Sequence, residues 1–225
     1  MRPFETLHST RTPDGTVLSL HRRDGDYFIH LDGEELMSTR RTGSESALAA
    51  LACQEVLERK NPRILIGGLG FGYTLRAALE ILPSRAEVVV AEIYPSVVEW
   101  NRERLELMHR RALEDKRALI CNANVWDLLD ETRAFDAILL DVDNGPSAWC
   151  LSSNGRLYDR AGLQRIRAAL TPGGVLAVWS AYTDAAFVKR LGKSGFTARV
   201  ERVRDHQRKG AQHTIFFARK SSGRA

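Results

Sequence analysis

The fold of this chain is decided by the stretch Arg63-Ile-Leu-Ile-Gly-Gly-Leu-Gly-Phe-Gly-Tyr-Thr-Leu-Arg76. Its first apolar residues, Ile64 to Ile66, are typical of a buried strand, and a helical pattern follows the glycines. A second apolar run ends at Glu92, twenty positions after Gly72. A strand, a glycine turn, a helix and a second strand that ends in an acid are typical of a nucleoside-binding βαβ unit.

In such a unit the glycines let the backbone approach the ligand, and the following helix offers unpaired N–H groups. Gly68, Gly70 and Gly72 are therefore candidate cofactor-binding residues. Glu92 is the candidate ribose ligand, because a strand-terminal carboxylate accepts hydrogen bonds from ribose hydroxyls. The alternative is that the glycines serve only tight packing of the helix on the strand, and that Glu92 is a surface acid that caps the next helix.

Length and composition indicate a globular protein with one main domain and a small appendage. The chain has 225 residues, and its hydrophobic content of 44% is ordinary for this class. No apolar run is long enough to span a bilayer, and the first residues lack the apolar core of a signal peptide. We therefore expect a cytoplasmic protein with no membrane partner. Three scattered cysteines, without a Cys/His cluster, predict neither a disulfide framework nor a metal site.

Positive charge is concentrated near the C-terminus. From Arg199 onward, eight lysines and arginines stand against two acids. Such a patch would attract nucleic acid, and a methyltransferase acting on RNA is one reading of it. We favour instead an edge hairpin whose charges prevent pairing with other sheets. Aromatic residues do not alternate with the basic ones, as base stacking would require, which argues against a nucleic-acid partner.

The first 43 residues do not follow a strand–helix alternation. Three short β-like segments, Phe4–Thr10, Val17–Arg23 and Tyr27–Leu31, are separated by Asp-Gly turn signals. They predict a small N-terminal region of antiparallel hairpins, residues 1–43.

Residues 44–225 alternate strands and helices, beginning with a helix over Glu45–Lys60 and including one over Tyr158–Leu170. Five parallel-type strands and a last hairpin, Thr197–Arg204 with His213–Arg219, complete the pattern. The sequence therefore predicts an α/β fold: a doubly wound, mostly parallel Rossmann-like sheet that is closed by a C-terminal antiparallel hairpin.

Polar residues occupy the carboxyl ends of the predicted strands, where open α/β sheets bind their ligands. Asn122, with Ala123, is a candidate contact for the adenine edge, because an amide can both donate and accept there. A turn-forming role is the alternative for Asn122. Asp141 ends a strongly apolar strand and is the candidate catalytic residue, as a base or orienting acid.

The loop after Asp141 supplies further candidates. Asp143 is placed beside it as a second catalytic acid, and Asn144 as a substrate contact. Two acids so close favour a cationic substrate, although an Asx-turn would use the same residues. Trp149 and Tyr158 are candidate walls of an acceptor pocket, because aromatic faces bind cationic amines. For Trp179, on an apolar strand, core packing is the stronger expectation.

These motifs resemble the spermidine synthase-like family within the class I S-adenosylmethionine-dependent methyltransferase superfamily. The resemblance covers nearly the whole chain and rests on an "LDGxxQ"-like turn, a glycine loop, a "VEID"-like ribose strand, a strand leading into "DSSDP", and the lid and helix after it. The matching segments are His30-Leu-Asp-Gly-Glu-Glu-Leu36, Gly68–Gly72, Ala91-Glu-Ile93, Ile138-Leu-Leu-Asp141, Gly145-Pro146, Leu157-Tyr158 and Leu170-Thr-Pro-Gly-Gly174.

The resemblance implies a donor, S-adenosylmethionine or its decarboxylated form, and a small-molecule acceptor, an amine or another nucleophile. It implies Glu92 as the ribose ligand, Asn122 in place of an adenine-contacting acid, and Asp141 as the acid that activates the amine. N-terminal hairpins often pair subunits in this family, which makes a homodimer the assembly to test.

The chain departs from the polyamine-binding half of that pattern. Phe71 stands where polyamine synthases carry an aspartate in the glycine loop, and Leu36 replaces the "LDGxxQ" glutamine. The "DExxYHE" segment aligns with Arg41-Thr-Gly-Ser-Glu-Ser-Ala47, which has no Tyr or His. The second acid of "DSSDP" falls at Asn144. Loss of several charge-assisted contacts weakens a dication site strongly.

We therefore expect a group transferase and favour methyl transfer from S-adenosylmethionine over aminopropyl transfer of the polyamine synthase type. A catalytically degenerate nucleoside-binding protein is the alternative from another class. An oxidoreductase that uses a dinucleotide fits the region around Glu92, but the Asp141 loop suits a transferase better.

Overall fold

The computed structural model describes residues 3–12, 15–40, 42–105, 108, 111–130, 134–142, 144–147, 154–204 and 211–221. The first strands form a four-stranded antiparallel sheet in the order β1-β2-β3-β4. Its strands are β1 (Glu5–Arg11), β2 (Val17–Arg23), β3 (Asp26–Leu31) and β4 (Glu34–Ser38). Positive φ at Asp24, Gly25, Asp32 and Gly33 makes the two tight turns that the Asp-Gly pairs predict. The fourth strand was not predicted.

A seven-stranded sheet forms the rest of the fold, with helices on both faces. Its strands are β5 (Arg63–Gly67), β6 (Glu87–Glu92), β7 (Ala118–Asn122), β8 (Phe135–Leu140), β9 (Leu170–Ser180), β10 (Phe196–Arg204) and β11 (Gln212–Lys220). The helices are α1 (Gly43–Gln54), α2 (Tyr73–Ile81), α3 (Pro95–Glu103), α4 (Gly155–Tyr158), α5 (Arg160–Ala169) and α6 (Ala185–Lys193), with 3₁₀ turns at Ala112–Glu114 and Val125–Asp130.

The strand order is β10-β11-β9-β8-β5-β6-β7. Neighbours are parallel except around β11, which is antiparallel to both β9 and β10. The predicted fold class is confirmed, but the C-terminal hairpin does not lie wholly at the edge. Strand β11 is inserted between β9 and β10, so that of the two hairpin strands only β10 lies at an edge of the sheet. The exposed Arg199, Arg202 and Arg204 line that edge, as expected for protection against sheet pairing.

The two faces of the sheet bury two separate cores. Ile64 and Ile66 of β5 face one core, which also receives α1, α2 and the N-terminal sheet, whereas Leu65 faces the core under α5 and α6. Because successive side chains of a strand point to opposite faces, a strand covered on both sides is apolar throughout. Strand β8, with all six residues buried, shows this pattern except at Asp136, whose carboxylate accepts hydrogen bonds from the Arg63 N–H and the Thr171 hydroxyl.

Three element boundaries differ from the sequence prediction. Helix α1 ends at Gln54 instead of continuing to Lys60, and the residues that follow form turns. The predicted helix over Tyr158–Leu170 is split at Asp159, whose extended backbone lets its carboxylate cap α5 through the Gly162 N–H. Strand β9 begins at Leu170, which is the last residue of the predicted helix.

The division of the chain at residue 43 stays a prediction. None of the helices in the described ranges has the length and apolarity needed to cross a membrane.

Candidate active site

The glycine loop after β5 lies where the sheet order reverses, between β8 and β6. Gly68 has φ +90°, and a Cβ at this position would lie 2.4 Å from the carbonyl oxygen of Asp141. Gly70 has φ +52°, and its Cβ would lie 2.9 Å from the sulfur of Met37 on β4. Both glycines line a cavity, whereas Gly72, also at positive φ, begins α2 outside it. Close packing thus accounts for Gly68 and Gly70, both of which also line the cavity, and cofactor binding by this loop stays a prediction.

Glu92 is buried at the end of β6 and faces the same cavity. Its Oε2 accepts a hydrogen bond from the Leu69 N–H at 2.9 Å, and its Oε1 accepts one from the Tyr94 N–H at 2.9 Å. Burial raises the pKa of this carboxyl group, and the surrounding backbone N–H groups oppose the rise. Each oxygen has a second lone pair, so the carboxylate can still accept bonds from a diol.

Asn122 does not reach the cavity. Its side-chain N–H donates to the carbonyl oxygen of Glu92 at 2.8 Å, and the residue is exposed. Its side chain therefore supports the backbone of Glu92, the candidate ribose ligand, and is not placed to contact a base in the cavity. The residues that line this end of the cavity are Ala123, as predicted, and Asn124 and Val125, which the sequence did not single out.

Asp141 follows β8 directly and lines the cavity at its centre. Its Oδ2 accepts a hydrogen bond from the Thr74 hydroxyl at 3.0 Å, and its backbone N–H donates to Gly67 at 3.0 Å. Burial raises the pKa of Asp141 to about 6, although the Thr74 hydroxyl and the charge of His213 act in the opposite direction. A carboxyl group that titrates near neutral pH in a cleft is a candidate for proton transfer.

The other candidates from the sequence are placed differently. Asn144 lines the cavity, and its carbonyl accepts a hydrogen bond from the Ala181 N–H at 3.0 Å. Tyr158 is not a wall of the cavity: it is buried on the other side of the sheet, with its ring edge-on to Phe187. Asp143 and Trp149 lie outside the described residues.

Trp179 is half-buried and lines the cavity, contrary to the expectation of pure core packing. Its ring lies against that of His213, with centroids 4.9 Å apart. The N-terminal half of the chain closes the opposite wall through Met37, Glu35 and Glu45. Sequence reasoning missed His213, Glu35 and Glu45, because no local motif marks residues that only the packing of distant segments brings together.

The cavity has a volume of about 350 Å³ and runs along the carboxyl edge of the sheet. The strand order places Glu92 on one side of Asp141 and Trp179 with His213 on the other. Its charged lining is acidic: Glu35, Glu45, Glu92 and Asp141 face it, and neither lysine nor arginine does among the described residues. Such a lining favours a positively charged ligand, and the role of Glu92 as ribose ligand stays a prediction.

The raised pKa of Asp141 predicts a pH-dependent cost of folding. A carboxyl group whose pKa is higher in the folded than in the unfolded protein stabilises the fold at pH values below its unfolded-state pKa, here near 3.8. It loses that contribution as the pH rises through its folded-state pKa, here about 6. Asp141→Asn is therefore expected to raise the free energy of unfolding by about 1–3 kcal/mol at pH 7.5 and by much less at pH 4. Urea unfolding at both pH values measures this difference. Equal differences at the two pH values would contradict it, and the exposed Asp127→Asn is the matched control.

Comparisons with known proteins agree with this geometry. A polyamine aminopropyltransferase of Pseudomonas aeruginosa is 32% identical over 179 residues, which are 76% of this chain and 48% of that protein. A polyamine aminopropyltransferase of Synechococcus is 33% identical over 121 residues, 52% of this chain and 36% of that protein. The chain thus spans about half or less of the length of these curated relatives. No protein-family model matches the chain.

Two solved structures have the same fold. A spermidine synthase in complex with the transition state analogue AdoDATO gives a TM-score of 0.75 at 21% identity. The match covers 96% of this chain and 73% of the spermidine synthase chain. The spermidine synthase of Thermotoga maritima gives a TM-score of 0.73 at 22% identity, with the same coverage.

The strand order and the glycine loop define a protein with the class I S-adenosylmethionine-dependent methyltransferase fold. Within that class, its curated relatives are polyamine aminopropyltransferases and its structural neighbours are spermidine synthases, which supports a spermidine synthase-like family.

Proposed function

We propose that this protein is a group transferase that moves an aminopropyl group from decarboxylated S-adenosylmethionine to a small amine. The observation that carries the proposal is the position of Asp141. This half-buried carboxyl group lies between the nucleoside side of the cavity, at Glu92, and the aromatic side, at Trp179. There it orients an acceptor nitrogen towards the donor and favours loss of its proton.

The charge of the cavity supports the decarboxylated donor over S-adenosylmethionine itself. The two differ by one carboxylate, which would enter a cavity that Glu35, Glu45 and Asp141 already make negative. A carboxylate that is desolvated without a cationic partner is costly. The names of the relatives point the same way, so aminopropyl transfer replaces methyl transfer as the reading we favour.

The same charges support a cationic acceptor. Carboxylates attract an ammonium group, and the face of Trp179 adds a favourable surface for it. We assign the acceptor side of the cavity to Asp141, Asn144 and Trp179, and the nucleoside side to Glu92 and Ala123.

Methyl transfer is kept as a second candidate because of Phe71. This residue is buried, and its ring lies 6.3 Å from that of Tyr73. Because this position is phenylalanine, the glycine loop has no carboxylate there that could bind the amino group of a decarboxylated donor. Glu45, which lines the cavity from α1, is the residue that we propose in its place.

Donor preference tests the proposal. Decarboxylated S-adenosylmethionine is expected to bind at least about 10-fold more tightly than S-adenosylmethionine, because one uncompensated charge costs at least about 1.4 kcal/mol. Isothermal titration measures both affinities, and mass spectrometry with a panel of diamines identifies the products. Methylthioadenosine with an aminopropylated amine supports the proposal, whereas S-adenosylhomocysteine with a methylated amine supports the second candidate.

Two variants sharpen the donor experiment. Glu45→Gln is expected to narrow the preference between the two donors, because it removes one negative charge from the wall. Glu58→Gln, an exposed acid outside the cavity, is the matched control and is expected to leave the ratio unchanged. Nucleoside binding without any turnover would instead identify a catalytically degenerate protein.

A further inference from the structure

His213 is a buried, titratable side chain that lines the acceptor side of the cavity. It stands at the start of β11, far in sequence from the glycine loop and from Asp141. The insertion of β11 beside β9 brings it there, because Thr214 pairs with Ser180 and so puts His213 diagonally across from Trp179.

The imidazole is held in a defined orientation. Its ring lies 4.9 Å from the ring of Trp179, with the two planes inclined by 32°. This tilted ring contact packs the imidazole against the indole and restricts its orientation. Trp179 therefore serves both as a wall of the cavity and as a support for His213.

Asp141 and His213 line the same cavity. The charge of His213 favours the ionised form of the Asp141 carboxyl group. A carboxylate beside an imidazole stabilises the imidazolium that forms when the ring takes up a proton, as in other carboxylate–histidine pairs of enzymes. Asp141 alone would have to orient the acceptor and take its proton. With His213 beside it, these two tasks can be divided.

We propose that His213 is the group that receives the proton of the acceptor amine, while the Asp141 carboxylate orients that amine and stabilises the resulting imidazolium. This inference rests on the proposed transferase function and assigns a second catalytic residue to it.

The proposed step conserves atoms and charge. The acceptor ammonium gives one proton to the imidazole, and the freed nitrogen lone pair forms a bond to the carbon next to the donor sulfur. The bond from that carbon to sulfur breaks, and its electron pair stays on sulfur as a neutral thioether. The product is a secondary ammonium ion, and the imidazolium then releases its proton to solvent.

His213→Gln tests this assignment, since glutamine retains a planar polar group but cannot take up the proton. We expect kcat/KM to fall about 10²–10³-fold, a range typical of the loss of a proton-transfer group. We also expect the acidic limb of the pH–rate profile, where Asp141 becomes protonated, to move to higher pH, because the positive charge that favours its ionised form is gone. If His213 acted only through its charge, the limb would move but the limiting rate at high pH would stay at the wild-type value.

Several titratable groups share the cavity with His213 and must be considered in the profile. Among the described residues they are Asp141, Glu35, Glu45, Glu92, Tyr94 and Tyr182. The limb is assigned to Asp141 by repeating the profile with Asp141→Asn. His8→Gln, an exposed histidine of β1, is the matched control and is expected to keep the wild-type rate and profile.

His213→Ala provides a second variant if the glutamine variant folds poorly. Added imidazole is expected to restore part of its activity, and methylthioadenosine binding by isothermal titration shows that each variant is folded. If the wild type turns over its substrates and His213→Gln keeps the wild-type rate and pH–rate profile, this inference is overturned but the proposed function is not. Absence of turnover in the wild type with every donor would overturn the proposed function, and the inference with it.

Discussion

Asp141→Asn is expected to lower kcat/KM by about 10²–10⁴-fold, the largest effect on activity that we predict for a single substitution. The amide has the same shape and can still accept the hydrogen bond from the Thr74 hydroxyl. It carries no charge, however, so it neither attracts an ammonium group nor stabilises a cation beside it. Steady-state kinetics with the best donor and acceptor pair measures the effect.

The binding of nucleoside separates this loss from a loss of fold. Methylthioadenosine is expected to bind Asp141→Asn about as tightly as it binds the wild type, since we propose that its diol binds at Glu92 and not at Asp141. Asp127→Asn, an exposed acid of the nearby 3₁₀ turn, is the control and is expected to keep full activity. A rate within threefold of the wild type in Asp141→Asn would remove Asp141 from the mechanism.

The two predictions for Asp141→Asn have opposite signs. The variant is expected to be more stable than the wild type at neutral pH and yet almost inactive. Burying a carboxyl group that must ionise costs folding free energy, and active sites commonly carry such costs.

Gly68→Ala is expected to lower the free energy of unfolding by about 2–4 kcal/mol and to abolish nucleoside binding. The residue has φ +90°, which alanine adopts only with strain, and the new Cβ would lie 2.4 Å from the Asp141 carbonyl oxygen. The loop must therefore move, and the Leu69 N–H that donates to Glu92 moves with it. Urea unfolding and isothermal titration with methylthioadenosine measure the two effects.

Gly192→Ala is the matched control for this substitution. Gly192 lies in α6, and a Cβ there would have no atom within 4 Å. Alanine in a helix is more stable than glycine by about 0.5–1 kcal/mol, so this variant is expected to gain stability and to bind nucleoside normally. Stability of Gly68→Ala within 0.5 kcal/mol of the wild type would contradict the account of the loop.

The nucleoside half of the site could be predicted because its residues follow one another within a single βαβ unit. The spacing from the glycine loop to Glu92 is a local property, set by one strand, one helix and the next strand. The structure places Gly68, Gly70 and Glu92 on one cavity, as that spacing predicts. Ala123 joins them because β7 pairs in parallel with β6.

The predictions for single polar and aromatic side chains were less successful. Asn122 and Ala123 are adjacent, yet only Ala123 lines the cavity, because the amide of Asn122 is held by the Glu92 carbonyl. Tyr158 is polar and follows the Asp141 loop, but it packs on Phe187 in the core below the sheet. The direction of a side chain at a strand or loop end depends on its partners, which the local sequence does not specify.

The sequence by itself determined the class of fold, the βαβ unit with its glycine loop and the strand that leads into Asp141, because hydrophobic periodicity and glycine spacing act over short distances along the chain. Only the tertiary structure decided what faces Asp141. The insertion of β11 between its neighbours brought His213 and Trp179 together, and the N-terminal sheet with α1 added Glu35, Met37 and Glu45. Contacts between segments so far apart in sequence arise from burial of the whole sheet, and no local pattern encodes them.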